Sequence, residues 1–344
     1  MQLLINGTTY NNFSRFELNL AFDTIASTFS VDVYFNPNLS AHRSLMRPLS
    51  VQEVLINYNG RRLLTGTAVN ISFKQESTKQ LAKLGGYSLP GVLENAYVQV
   101  PNEGCDLQFN NLSLEDITDT LIRPYGLSFG TQTPVADEAK KLYSQTEMKA
   151  TQSIKEYLSQ LASQRGIILS HDVSGNLIYT RPIVSNQVPV ARFDGTVPGV
   201  SMTATYNSQN MHSEITVLGQ ADINGGDAGQ ATVTNALISQ YKSKVVEQNS
   251  GSDTDTMQAA KMIRADELKN LKLTIEIDRW EYDGILFEPN QIIEVRNPEV
   301  YLFNPVKWFI TNVNFRQDAQ QQTCTLTCVL PQCYSLKDPV NIFA

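Results

Sequence analysis

Histidine, cysteine and charge are all scarce in this sequence, and each scarcity narrows what the chain can do. There are three histidines in 344 residues, His42, His171 and His212. They fall in separate segments, so a His-based triad or zinc site has few ways to assemble. Four cysteines are too few for a disulfide scaffold, and Cys324, Cys328 and Cys333 follow a C-x3-C-x4-C spacing rather than paired C-x2-C. Cys324 and Cys328 would share one face of a strand TCTLTCVL, where thiols behave as small hydrophobes. Charged residues make up only 18% of the chain; neutral polar groups replace them, among them 27 asparagines. That balance suits an ordered, β-rich surface rather than a disordered or collagenous chain. No run approaches the ~18 apolar residues of a membrane span. The opening MQLLINGTTYNNF lacks a basic n-region and a long apolar h-region, which reads as a chain made and kept in a cytoplasm without Sec-type export or membrane insertion.

The formal net charge of −7 disfavours a surface that grips nucleic acid. It is also unevenly distributed: residues 1–103 carry a net +1, residues 104–184 carry −2 and residues 185–344 carry −6. A chain of this length suggests two or three domains at ~150 residues each, with ample core and no need of a disulfide or metal staple.

Along the chain, SRFELNL places Phe16, Leu18 and Leu20 on one face, and FSVDVYF does the same with Phe29, Val31, Val33 and Phe35, predicting an antiparallel pair. Asn59-Gly60 between VLINY and RRLLTG is a strong hairpin signal, because a type I′ turn needs positive φ at both central residues. AVNISFKQES reads as a further strand, and LAKLGGYSLPGVL as an exit through Gly85, Gly86 and Pro90. After Cys105 the period changes. Ser113-x-x-Asp116 opens a helix through Ile117, Leu121 and Ile122 that stops before Pro124, and Ile154, Tyr157, Leu158 and Leu161 form a second helix closed by Gly166. GIILSHDVSGNLIYTRP reads as a hairpin, with His171-Asp172 a solvated pair beside its turn. Strands resume near Val188. VTNALISQYKSKVVEQ looks like an irregular excursion with weak strand character between two polar loops, and from Thr256 a helix places Ala259, Met262, Ile263, Leu268 and Leu271 near one face. The predicted organisation is mainly β with an α+β insert: residues 1–103, an α/β module over 104–184, and residues 185–344 with a loop and helix excursion around 220–271. No short-period repeat occurs, although the two β-rich segments could be diverged copies of one fold.

Candidate chemistry is thin. Gly225, Gly226 and Gly229 lack the following Lys of a P-loop, and Asp222, Asn224 and Asp227 lack the bidentate Glu of a calcium loop. No cofactor or metal site is predicted. Asp278, Glu281 and Asp283 surround Trp280, so a glycan site using two carboxylates competes with a charged face around a structural Trp.

The stretch WEYDGILFEPNQIIEVRNPEVYLFNPVKWFITNVNFRQDAQQQTCTLTCVLP, preceded by the helix AAKMIRADEL, resembles the closing segment of Mu-type baseplate hub proteins of contractile-tail bacteriophages. That family is related to the base of type VI secretion spike proteins. The matching positions are Trp280, Gly284, Phe287, Pro289, Asn290, Val295, Phe309, Val313, Phe315, Leu326 and Pro331, with Arg279 where the family often has Gly. GGYSLPGVLENAYV, with Gly86 and Gly91, resembles the segment leaving the first barrel of these hubs. The resemblance implies two tail-tube-like β-barrel domains flanking the α/β module, in a non-enzymatic structural protein of the virion tail baseplate. It further implies a homotrimeric ring joining tail tube protein to central spike protein, with tape measure protein and other baseplate subunits as further neighbours. DNA would pass through its channel without specific binding. If the segment lies in such a ring, some of the seven acids in residues 276–299 would face the channel, with Glu276 and Asp278 the pair that strand alternation puts on one face; the alternative is that these acids sit on an outer wall and serve solubility. The alternative readings are a cell-wall glycan hydrolase of a phage or secretion system and a carbohydrate-binding β-sandwich.

Overall fold

The structure, a computed structural model, describes residues 1–10, 13–75, 80–98, 107–182, 184, 187–219, 229–248 and 255–343. The glycine-rich positions Asp222, Asn224, Gly225, Gly226 and Asp227, Cys105, and most of the SGSDTDT stretch lie outside the described residues. The chain is mainly β and divides into two compact units, residues 1–181 with 314–323 and residues 182–313 with 324–344.

In the first unit, seven strands follow one another in the spatial order Phe13–Ala21, Thr28–Tyr34, Gln80–Ser88, Arg61–Gln75, Gln52–Tyr58, Gln2–Ile5 and Thr8–Tyr10. Phe16, Leu18, Phe29, Val31 and Val33 are buried on one face, as the alternation predicts, and Phe16 opposes Val31 in the antiparallel register. Asn59 (φ 47°) and Gly60 (φ 79°) make the tight turn between Gln52–Tyr58 and Arg61–Gln75. Two sequence expectations need correction. AVNISFKQ is not a separate strand but the second half of the 15-residue strand Arg61–Gln75. Its register against Gln80–Ser88 shifts between Ala68 and Asn70, a bulge-like irregularity that lets the strand continue while changing its pairing. Gly85 and Gly86 lie within a strand rather than in an exit loop, and the exit itself is the 3-10 turn Leu89–Glu94.

The helical part of this unit follows its capping chemistry. The helix Leu114–Ile122 starts from a capping box in which the Ser113 hydroxyl accepts from the Asp116 amide and the Asp116 carboxylate accepts from the Ser113 amide. Ser153 and Glu156 repeat the motif ahead of Ile154–Gln164, a signal present in the sequence as S-x-x-E. Each box is worth roughly 0.5–2 kcal/mol. Ile117, Leu121, Tyr157, Leu158 and Leu161 close over the hairpin residues Leu169, Leu177 and Tyr179 in one core, together with Ile25 and Leu93.

His171 is not a solvated residue. Its Nε2 lies 2.7 Å from the Ser27 hydroxyl and 3.1 Å from the Ser27 amide, and Nδ1 lies 3.2 Å from the Thr24 carbonyl. The amide contact requires an unprotonated Nε2, so Nδ1 carries the hydrogen and donates to Thr24. Ser27 also donates its amide to the Ser88 hydroxyl, and its own hydroxyl accepts from the Ala21 amide. Asp172 turns away to accept from the Ser174 and Asn176 amides at the hairpin tip. Burial holds the His171 pKa below its ordinary value, with the Thr24 bond and the Asp172 charge opposing the shift. Because the folded pKa lies below the unfolded one, the unfolded chain takes up the proton first as pH falls below ~6.5, and this part of the stability is lost on acidification. Thermal melts from pH 8 to pH 5 should therefore fall more steeply for the native chain than for His171→Gln. Ser27→Ala should cost about 1–3 kcal/mol, since it leaves buried groups without partners.

In the second unit, strands Val200–Tyr206, Leu271–Ile277, Gln322–Val329, Leu302–Gln317, Ile292–Asn297 and Ala191–Phe193 follow in spatial order. Leu271, Leu273, Ile275 and Ile277 point inward, each contributing roughly 1.5–3 kcal/mol of burial. The weak strand character of the excursion is real, and its strands are ordered by pairing. Gln230–Thr234 pairs antiparallel and Ser243–Glu247 pairs parallel with Glu214–Leu218, and the helix Thr256–Leu268 packs Ala260 against Ile215, Val217 and Val233. That helix buries Leu268 and packs Ala259 and Ile263 against the same core, as expected, and Leu271 is buried in the strand that follows; not expected on its buried face are Ala260, Ala265 and two charges, Arg264 and Glu267. Two charges reach the interior because each is met there. Arg264 donates to the Thr234 carbonyl and pairs with Asp338 at 2.7 Å, while Glu267 accepts from the His212 amide at 2.8 Å, from its ring at 2.7 Å and from Lys244 at 3.2 Å.

Candidate functional site

Of the residues singled out in the closing segment, the apolar ones are buried, whereas Gly284 is exposed and Pro289, Asn290 and Pro331 are half-buried. Trp280 is 1% exposed, and Phe287 and Val295 are completely buried. Phe193 links them: it stacks near Tyr282 and Phe287, with ring centroids 5.1 and 6.2 Å away, and sits opposite Val295 in a parallel pair. Asp283 and Gly284 both have positive φ and form the turn that pairs Tyr282 with Ile285. Asn290 (φ 70°) takes a left-handed conformation that asparagine tolerates, and its amide donates to the Ile310 carbonyl at 2.9 Å, anchoring the chain as it re-enters a strand after Pro289. Pro331 stands at the start of the short helix Gln332–Ser335, where a missing N–H costs nothing, and its carbonyl accepts from Tyr334 and Ser335.

Of the acids near Trp280, Glu281 is half-buried in the short hairpin, opposite Leu286. Asp278 is largely exposed and pairs with Arg279 at 3.2 Å, and Asp283 is exposed at the hairpin tip. With its ring enclosed, Trp280 offers no face on which a sugar could stack. Glu276 and Asp278 share the exposed side of their segment, and Glu276 stands opposite Ser201 and Thr325 on the neighbouring strands. That wet face is otherwise rich in short hydroxyls, Ser201, Thr203 and Thr205 among them. Cys324, Cys328 and Cys333 are buried, and burial pushes the Cys324 and Cys333 thiols up to about 12 and Cys328 higher still. They are packing groups rather than nucleophiles.

Gly86 and Gly91 serve close packing in the first unit. A Cβ on Gly86 would stand 2.7 Å from the Phe29 ring and would also meet the Thr67 carbonyl, and one on Gly91 would enter the Tyr87 ring. The adjacent Gly85 has nothing nearer than 3.8 Å. Chemical denaturation should accordingly show Gly86→Ala destabilised by about 1–3 kcal/mol through overpacking. Gly85→Ala should lie within ~0.5 kcal/mol of the native chain. Trp280→Ala should cost about 3–5 kcal/mol.

Residues 101–181 match the family described as baseplate hub protein gp44-like, second domain. Among solved structures, the chain is similar to the 43 kDa tail protein of prophage MuSo2 from Shewanella oneidensis, with 17% identity, a TM-score of 0.80 and coverage of 96% of this chain and 98% of that one. A tail protein from Neisseria meningitidis MC58 gives 16% identity, a TM-score of 0.78 and coverage of 97% and 98%. An E. coli component of the type VI secretion system, described as structurally similar to the T4 tail proteins gp27 and gp5, gives 12% identity, a TM-score of 0.59 and coverage of 99% and 80%. No curated protein matches the sequence significantly. At these identities the solved structures establish a shared fold. Residues 101–181 thus match the model of the gp44-like baseplate hub second domain, and the chain as a whole shares the fold of prophage tail proteins.

Proposed function

We propose that this chain is a structural subunit of a phage baseplate hub: three copies form a ring that joins the tail tube to the central spike and surrounds the channel through which DNA leaves. The observation that carries this reading is a hub-family second domain at residues 101–181 within a fold shared over 96% of the chain with a prophage tail protein. On this reading residues 1–103 and 185–344 are the two tube-like domains and residues 104–184 the module between them. Three chains then present six similar elements to the tube and a threefold face to the spike. Low charge fits a subunit whose surfaces are largely covered in the particle, because interface cores are depleted in charged residues. Tube protein, spike protein and tape measure protein are the expected neighbours.

No hydrolytic role is assigned. The enclosed Trp280 and the exposed Asp278 and Asp283 weigh against a glycan-cleaving site. On this reading Glu276 and Asp278 face the channel, where their negative charge would repel phosphate and keep the genome from adhering.

Three measurements test this reading. Light scattering should give about three times the 38.4 kDa chain mass, and a persistent monomer, even with tube or spike protein present, refutes the ring. Changing Asp278, Glu281 and Asp283 together to their amides should leave the lytic function of assembled particles intact; lost lysis in normally assembled particles refutes a purely structural role. Glu276→Lys with Asp278→Lys should slow DNA release most at low salt, since added phosphate contacts weaken as salt rises. Release kinetics unchanged at every ionic strength would remove these two acids from the channel wall.

A further inference from the structure

The surface of the first unit between Tyr34 and Phe73 combines two unusual features. Tyr34, Leu39, Leu49, Val51, Val69 and Phe73 are all exposed there, and the helix Ser40–Leu45 buries none of its residues. Leu49 is the extreme case: its side chain is fully solvated (103%) and its backbone is left-handed (φ 59°), a conformation unfavourable for an L-residue. Neither property benefits an isolated chain. The second feature is charge. Arg47 lines a hollow together with Leu49 and Val69, and Arg43 is exposed on the helix Ser40–Leu45 just before it.

The second unit carries the opposite bias. Residues 276–299 contain seven acids against Arg279 and Arg296, and just beyond them Tyr301 and Phe303 are exposed, their rings edge-to-face at 5.1 Å.

We propose that the basic, apolar surface around Leu49 docks on a second copy of this chain, against the exposed acids Asp283 and Glu299 and the exposed Tyr301 and Phe303 of that copy, while Glu276 and Asp278 stay outside the contact. The proposal rests on the trimeric-hub reading and names the surfaces that would make the ring. Two arguments select a second copy as the occupant. An exposed apolar patch of this kind marks an interaction site, and the chain itself supplies an aromatic surface of opposite charge to meet it. Because the two patches differ in sign, like patches repel. The contact is therefore head-to-tail, each copy using one patch on each neighbour, which is the arrangement that closes into a ring when the rotation permits.

The test is the mass of the purified full-length chain across a dilution series, with a melting curve for each variant. Wild type should be trimeric. Leu49→Asp, the pair R43E and R47E, and the pair D283K and E299K should each weaken assembly at least tenfold. Combining both charge reversals in one chain should restore the trimer. Leu49→Gly removes the side chain while relieving the left-handed backbone, so it should weaken assembly without lowering the melting temperature, which separates docking from folding. A trimer indifferent to Leu49→Gly and to R43E with R47E overturns this contact and leaves the ring reading standing. Dissociation by both charge reversals without rescue in the combined chain also overturns it, since the two surfaces then do not face each other. A wild-type chain that stays monomeric at every concentration, with tube or spike protein added as well, refutes the ring and this contact together.

Discussion

Strand Leu271–Ile277 lies between two antiparallel partners, so its register is fixed from both sides; a slip of one residue would bury Lys272 and Glu276 and expose four large aliphatic side chains. Much of the second unit follows from that constraint. It sets Cys324, Leu326 and Cys328 against the same core, and it leads Ile277 directly into the turn that places Trp280 inside. It also fixes Glu276 on the wet face, so the position of the acid is a by-product of where the aliphatic residues must go.

The interior is not purely apolar, and its polar positions show how folding energy limits sequence choice. Arg264 and Glu267 are three residues apart on one helix and both are buried, an arrangement tolerable only because a carbonyl, an aspartate, an imidazole, an amide and an ammonium group converge on them. The Ser27 node in the first unit solves the same problem with neutral groups. There a serine, a histidine and a second serine satisfy one another where the strand end meets the hairpin. Removing a single member leaves the others desolvated without a partner, so both networks are fragile to single substitutions in a way that apolar packing is not.

What could be read from the sequence was what is local. Alternation in FELNL and LKLTIEI, the Asn59-Gly60 turn, the Ser113 cap and Gly166 at a helix end each state their structure within a few residues. The misreadings share one cause, which is that the deciding partner is distant in sequence. The excursion looks irregular until Gln230–Thr234 and Ser243–Glu247 find Glu214–Leu218. The helix Thr256–Leu268 buries two unexpected charges because His212, Lys244, Thr234 and Asp338 neutralise them. His171 looks solvated because Ser27 lies 144 residues away. That Phe193 packs beside Phe287 and pairs with Val295 could not be read from the closing segment, since Phe193 stands outside it.

The buried thiols carry a consequence of another kind. Cys324, Cys328 and Cys333 are sealed in the core with their pKa values raised, so little thiolate exists to be oxidised and no oxidant reaches the sulfur without unfolding the sheet around it. None of the three is bridged, so a reductant has nothing there to cleave. At these three positions the fold is therefore indifferent to redox potential in both directions, and a subunit built this way can pass between reducing and oxidising surroundings without any change in its covalent structure there.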